Sequence, residues 1–299
     1  MTPTELEQLL PHWRTWIGRR ESRSDTVTAA PLAGLAATLD RDDPAPQTGS
    51  EAPPLSHWLY GLPQAPQREL GDDGHPRRGG FLPPVPLPRR LWAGGRLAFH
   101  HALCVGDAIR RDSEVLSVNA KTGRSGPLVF VTVRHEIHNA RGLALSEEHD
   151  IVYRGLPSPG REPVDPAAVA AATAPPGPAD AGEPPYSRRI SPDPVLLFRY
   201  SALTFNGHRI HYDRRHCEQV EGYPGLVVHG PLQATLLADL LRRRHPQARL
   251  RRFDFTALRP LFDTHEFELC GQDLGAGRHR LWTRDAQGCT AMRAEAHTA

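Results

Sequence analysis

Residues 200–213 read YSALTFNGHRIHYD, and His229 follows His211 by eighteen residues inside the run VHGPL, Val228 to Leu232. This is the densest polar chemistry in the chain. It sits between a predicted strand at 195–200 and the strongest predicted helix, 229–243. That helix has apolar positions at Leu232, Leu236, Leu237 and Leu240, and the basic run Arg242 to His245 near its C-terminus, where the macrodipole favours cations. Histidine is suited to proton transfer near neutral pH. A glycine at a helix start, here Gly230, lets a ligand carbonyl come close to backbone N–H donors that stabilise negative charge on its oxygen. The turn 203–212 therefore offers an acid/base group, and the helix start an oxyanion site.

Alternation of apolar and polar residues predicts four strands after that helix, at 249–257, 262–270, 278–284 and 290–296. The first half reads in the same way. A helix is expected over 2–17, with Thr2 as cap, Pro3 at its first position, and a stripe of Leu6, Leu9, Leu10, Trp13 and Ile17 that Pro11 bends or splits. A second helix is expected over 25–40, and then a largely irregular stretch over 41–91. Strands are expected at 96–104, 109–118, 127–137 and 149–153. The stretch RLAFHHALCVGD (96–107) is echoed by RFDFTALRPLFD (252–263). Helix first and strands after, in both halves, predicts two similar units, each an antiparallel sheet on one long helix, with a shared seam. The units span 1–155 and 186–299, joined by a Pro/Ala-rich linker at 156–185.

Composition excludes several classes. With 36 basic and 34 acidic residues the net charge is +2, which gives no reason to expect nucleic-acid binding. Cys104, Cys217, Cys270 and Cys289 form no CxxC pair, so neither a disulfide framework nor a zinc site is expected. His100, His101, His135 and His138 come without a compact acidic set, and no metal is expected there either. No Walker sequence, strand-linked GxGxxG or GxSxG elbow is present, which argues against ATP, nicotinamide and serine-hydrolase chemistry. No signal peptide or membrane span is read, so a cytoplasmic protein without cofactor is the expectation.

The 200–213 segment resembles the active-site motif of the MaoC-type enoyl-CoA hydratases of the hotdog superfamily. Asn206 stands at that motif's Asp position, His208 at its Asn, and Arg209 replaces the usual Pro, while Ile210 and His211 fit. VHGPL resembles the start of the hotdog helix. FLPPVPLPRRLWAGGRL (81–97), RSGPLVFVTVRHE (124–136) and FRYSALTFNGHRIHYD (198–213) are similar to the double-hotdog branch. That branch holds the 3-hydroxyacyl-thioester dehydratases and the mesaconyl-C4-CoA and itaconyl-CoA hydratases. The resemblance implies an α+β double hotdog whose N-terminal unit lacks the catalytic motif, one active site per chain, an acyl-CoA substrate, and pairing of two copies. It implies a hydro-lyase in which His211 is the acid/base, Asn206 holds the water, and N–H groups near Gly230 hold the thioester oxygen.

Each residue also has a plainer use. Asn206 is a turn former, Gly230 a packing residue, and Asp213 either an assistant to His211 or a solvated carboxylate. Tyr200, Ser201, His208, Arg209 and His229 are expected to support or contact the ligand. Arg209 or Arg89–Arg90 would suit the phosphates of coenzyme A, and Arg96, Arg134 or Arg199 a second carboxylate on the acyl group. The alternatives are a thioesterase on the same fold and a non-catalytic acyl-thioester binding protein.

Overall fold

A computed structural model describes residues 3–123, 126–155 and 183–299. The expected linker falls almost entirely outside these residues. Ten strands form one antiparallel sheet: β1 Arg20–Thr26, β2 Arg89–Phe99, β3 Ala108–Gly123, β4 Gly126–Asn139, β5 Gly142–Arg154, β6 Tyr186–Ile190, β7 Leu250–Ala257, β8 Phe267–Gly275, β9 Arg278–Arg284 and β10 Thr290–Thr298. Their order is β1-β3-β4-β5-β2-β7-β10-β9-β8-β6. Read from either edge to the middle, the strands of each half follow one order. The repeat is thus topological, and β2 and β7, which carry the sequence echo, are equivalent strands. The aspartates that end the echo have similar jobs. Asp107 accepts from the Cys104 and Asn139 amides, and Asp263 from the Leu226 N–H and the Arg214 guanidinium.

The main helices are α1 Pro3–Arg14, α2 Ala29–Thr38, α3 Pro194–Leu203 and α4 Gly230–Arg244. Helix α4 buries Leu232, Leu236, Leu237 and Leu240 against β8, β9 and β10, whose Leu269, Leu281, Met292 and Ala294 complete the core. Its buried polar groups are matched: Thr283 donates to Gln233 Oε1 at 3.0 Å, and Arg41 and Arg243 bind Asp239.

Three expectations need correction. Residues 195–200 are helix, not strand. The Asp193 carboxylate caps α3 by accepting from the Val195 and Leu196 N–H groups, and Pro194 fits its first turn. An apolar run of that length carries no period that separates helix from strand. The helix expected over 25–40 is the end of β1 followed by α2, because Asp25 pairs with Ile109 of β3. The N-terminal unit packs α1 on β3 and β4, but no long helix stands in the position of α4. At the place of α4 it has only the four-residue turn Ser56–Leu59. The chain then runs to β2 through Pro63, Pro66, Pro76, Pro83, Pro84, Pro86 and Pro88, which lack the N–H that a helix needs. The entry to each unit's helix position is nonetheless alike: Glu51 bridges Cys104 as Val227 bridges Phe262.

The seam between the units is not a contact of two sheets but the pairing of β2 with β7, Gly94–Thr256 to Ala98–Arg252. A Cβ at Gly94 would lie 2.6 Å from the Phe255 carbonyl oxygen, and one at Gly95 2.6 Å from the Phe255 ring. Gly94→Ala should therefore cost about 1–3 kcal/mol through overpacking against backbone, seen as a lower urea midpoint with an unchanged slope.

Candidate active site

Helix α3 ends in a tight turn that points the next residues inward. Asn206 N–H donates to Ser201 O at 2.8 Å, and Phe205 adopts φ 48°, a left-handed conformation that a bulky residue rarely holds. The Asn206 side-chain oxygen accepts the His208 N–H at 3.0 Å. Its turn-forming use and its use toward a ligand are thus compatible, because the bond to the backbone leaves the Nδ2 hydrogens for the cavity.

His211 is buried. Its Nδ1 lies 2.7 Å from the Val227 carbonyl oxygen. A carbonyl only accepts, so Nδ1 carries the proton and Nε2 keeps a lone pair. The ring is stacked on His229, with centroids 3.6 Å apart and planes at 18°. His229 is fully buried, and its Nε2 meets the Ser201 hydroxyl at 2.8 Å. Tyr200 is also buried, with its hydroxyl 3.1 Å from that of Thr235. His229 and Tyr200 therefore stand behind the site rather than on its wall, and neither can touch a ligand directly.

The wall itself encloses about 1290 Å³. Of the expected residues it includes Asn206, His211, Gly230, Ser201, His208 and Arg209. Gly230 opens α4, whose first N–H groups have no partner within the helix. Asp213 is not on the wall: its carboxylate caps the His216 N–H and receives two nitrogens of Arg209.

The N-terminal unit supplies the rest of the wall, including His75, Arg90, Trp92, His135, Glu147 and His149, with Asp73 behind His75. Sequence reasoning had named Arg90 for a phosphate and weighed His135 only as a metal ligand, and it missed the others. Two signals were present. His135 shares the parity of Val131 and Val133, the buried face of β4, so a polar group was displayed on an apolar face. The Pro-rich stretch read as irregular also holds Asp73-Gly74-His75, and only the fold brings these residues to the site. Glu147 is buried, accepts from the Trp58 indole at 3.0 Å and lies 3.0 Å from His57 Nε2, which holds its carboxyl down at about 2 against the cost of burial.

Burial disfavours the imidazolium form throughout. It pushes His211 down to about 3, with the Val227 carbonyl acting in the opposite sense, and His75 and His149 to about 4. His135 falls to about 3, and His208 and His229 lie well below the usual histidine range. The cavity is lined by neutral imidazoles at physiological pH. Among the described residues, ligating atoms of Asp73, His75 and His208, and of His245, Asp273 and His279, lie within 4.8 Å of one another, a spacing that admits a metal ion.

The family model of hydroxyacyl-thioester dehydratase type 2 matches residues 55–263, a span that contains the whole cavity-forming loop, β2 to β5, and the His211 turn. The chain belongs to this family. It is 46% identical to the mesaconyl-C(4)-CoA hydratase of Chloroflexus aurantiacus over 284 residues, 94% of this chain and 96% of that protein. Among solved structures, a MaoC-like dehydratase from Phytophthora capsici superposes with a TM-score of 0.68 at 14% identity, covering 98% of each chain. A conserved Mycobacterium tuberculosis protein described as having a double hotdog fold does so with a TM-score of 0.56 at 17% identity, over 95% of this chain and 96% of that one. The type 2 dehydratase fold here is the double hotdog, α+β, with the helix of the first unit replaced by a loop.

The buried histidines make acid stability a test of this site. Their folded pKa values lie below the unfolded value of about 6.5, so the unfolded chain takes up protons first as pH falls. Each contributes a loss of up to about 1.4 kcal/mol per pH unit from about pH 6.5 down to its folded value. The urea midpoint should be level above pH 7.5 and drop steeply between about 6.5 and 4, while the His211 imidazole signal in NMR stays in its neutral position at pH 5.

Proposed function

We propose that this hydratase/dehydratase adds water across the double bond of an enoyl-CoA, and removes it from the 3-hydroxyacyl-CoA, with a dicarboxylic C4 or C5 acyl group as substrate. The observation that carries this is one wall on which His211 Nε2, the Asn206 amide and the N-terminus of α4 all face a single cavity. The thioester oxygen lies against the N–H groups at Gly230, which hold the negative charge that develops on it. A water at the β-carbon donates a hydrogen bond to His211 Nε2 and accepts one from Asn206 Nδ2. An imidazole takes one proton of that water as its oxygen bonds to the β-carbon, and the proton is returned to the α-carbon. The same groups run the reverse reaction.

The 46% relative supports the acyl class, and so does the distribution of cations. A mesaconyl-C4 thioester carries a free carboxylate on the β-carbon, so the cation that meets it must stand beside the imidazoles. Arg96 is tied to Glu148 and Asp150, and Arg134 to Glu114. Arg199 is exposed on α3 and off the cavity wall. Arg89 is buried on Glu221 at 2.7 Å, so it is closed to coenzyme A phosphates as well. Arg90 fits. It lines the cavity, shares a strand face with Trp92, whose backbone borders Gly230, and acts electrostatically on Asp73, His75, His149 and His208. Of the cations named from sequence, Arg209, at the cavity wall and paired with Asp213, suits the coenzyme A end. The proposal includes a cytoplasmic location and two copies per molecule. No described helix is long and apolar enough to cross a membrane, and sedimentation velocity would test the pairing.

The test is a panel of crotonyl-CoA, mesaconyl-C4-CoA and itaconyl-CoA with their hydrated partners, read by absorbance of the conjugated thioester and by product mass. The parent should hydrate a dicarboxylic member, and His211→Ala should lower kcat by about 10²–10⁴. Release of free coenzyme A without hydration would replace this reading by a thioesterase. Arg90→Gln should lose about 100-fold in kcat/KM on mesaconyl-C4-CoA, and far less on crotonyl-CoA, which has no second carboxylate to leave unpaired.

A further inference from the structure

Which imidazole carries the proton follows from charge. A buried imidazole that takes a proton becomes a buried cation, which is costly unless an anion faces it. The groups acting on His211 are the Val227 carbonyl and His75. Those acting on His208 are imidazoles and Arg90, and on His229 only His211. Neither His211 nor His229 faces a carboxylate, and a ring nitrogen of His208 comes within 4.8 Å of a carboxylate oxygen of Asp73. The closer pairing is that of His75: its Nδ1 lies 3.3 Å from Asp73 Oδ2, and its backbone N–H donates to Asp73 Oδ1 at 2.9 Å. With Nδ1 turned to the carboxylate, Nε2 is the nitrogen left for the cavity that His75 lines.

The loop that carries this pair is fixed to the turn that carries His211. Arg209 N–H donates to Asp73 O at 2.9 Å, and Gly71 N–H to His75 O at 2.7 Å. Gly74 has φ +85°, and a Cβ there would lie 1.9 Å from Gly207 O, so only glycine permits the approach. The His75 ring centroid is 4.1 Å from that of His208, which is 5.4 Å from that of His211.

We propose that His75, with Asp73 behind it, is the catalytic base of this site, contributed by the N-terminal unit in place of the carboxylate that Asn206 is not. This rests on the hydratase reading above. In hydration, the water oxygen forms its bond to the β-carbon while His75 Nε2 takes one of its protons. The π pair of the double bond moves to the α-carbon and thioester oxygen. His75 then gives that same proton to the α-carbon and is neutral again. Asp73 holds the imidazolium between these events, and His211 keeps the second hydrogen of the water by hydrogen bond throughout. The charged or titratable groups around His75 are Asp73, Arg78, Arg90, His208 and His211.

The experiment uses the full chain with Asp73→Asn, His75→Gln and His75→Ala, on whichever substrate the parent turns over. Asp73→Asn and His75→Gln should lower kcat by about 100-fold or more with KM changed only a few-fold. Asp73→Asn should also move the acid limb of the kcat/KM profile to lower pH, because the carboxylate favours the imidazolium. Mere loosening would hydrate His75 and move the limb up. Added imidazole should restore part of the His75→Ala activity. Should one variant fail to fold, the pH limb or the rescue in the other decides. Variants within about fivefold of the parent's kcat, a limb that moves up, or parent activity lost to a chelator (a metal held by Asp73, His75 and His208) would overturn the proposal while leaving the hydratase reading intact. A parent inert on every thioester would end both.

Discussion

Backbone pairing of β2 with β7, residue by residue from Gly94–Thr256 to Ala98–Arg252, is the constraint on which the rest of the molecule depends. It turns two five-strand repeats into one continuous sheet. Adjacent strands in such a sheet stand about 4.8 Å apart, so the units have no freedom to drift. The two glycines at the seam are what permit the approach, since Phe255 occupies the space a side chain would need. Everything that β2 carries is then delivered to the second unit's helix. Trp92 borders Gly230 and stacks on His149 at 3.8 Å, and Arg90 faces the histidine cluster.

The second consequence concerns what the first unit lacks. A repeat that had kept its own long helix would have filled the face of β3, β4 and β5 with leucines, as α4 does in its partner unit. Prolines along 63–88 exclude that helix. The space becomes cavity, and the chain that crosses it brings Asp73 and His75 to the far unit. One unit thus gives up a share of core stability to provide a wall. The polar residues that line that wall, Glu147 with His57 and Trp58, remain paired because an unpaired buried carboxylate would be costly.

Much of the fold, and the turn and helix start that line the cavity, were legible in sequence, for a physical reason. His211, Asn206 and Gly230 lie within one short stretch whose order is set by local turn chemistry and a helix start, and both are written in neighbouring residues. The strands were legible because alternation is a period-two signal. Residues 195–200 were not, since VLLF is equally apolar in helix and strand, and the deciding cap lies in Asp193. The loop 71–75 was not legible either. Its contacts with 206–209 span more than 130 positions of sequence, and a Gly-Asp-Asp-Gly-His stretch among prolines announces a turn rather than a base. Arg96 and Arg134 failed as candidates for an analogous reason: their partners sit on neighbouring strands, and strand pairing is not visible one residue at a time.

The amide at 206 also fits the electrostatics better than a carboxylate would. Two like charges about 4 Å apart repel by about 4 kcal/mol at an effective dielectric near 20. For an acyl group whose own carboxylate is attached to the carbon that receives the water, a second carboxylate at 206 would stand against it from the same side as the water. An amide donates to that water without repelling the substrate. The negative charge that the proton transfer needs is then placed behind an imidazole, at Asp73, and Arg90 acts on both Asp73 and His75 from the cavity. Charge separation of this kind lets one small volume hold a base and an anionic substrate at once, and it requires that the base come from a different part of the chain than the water-binding turn.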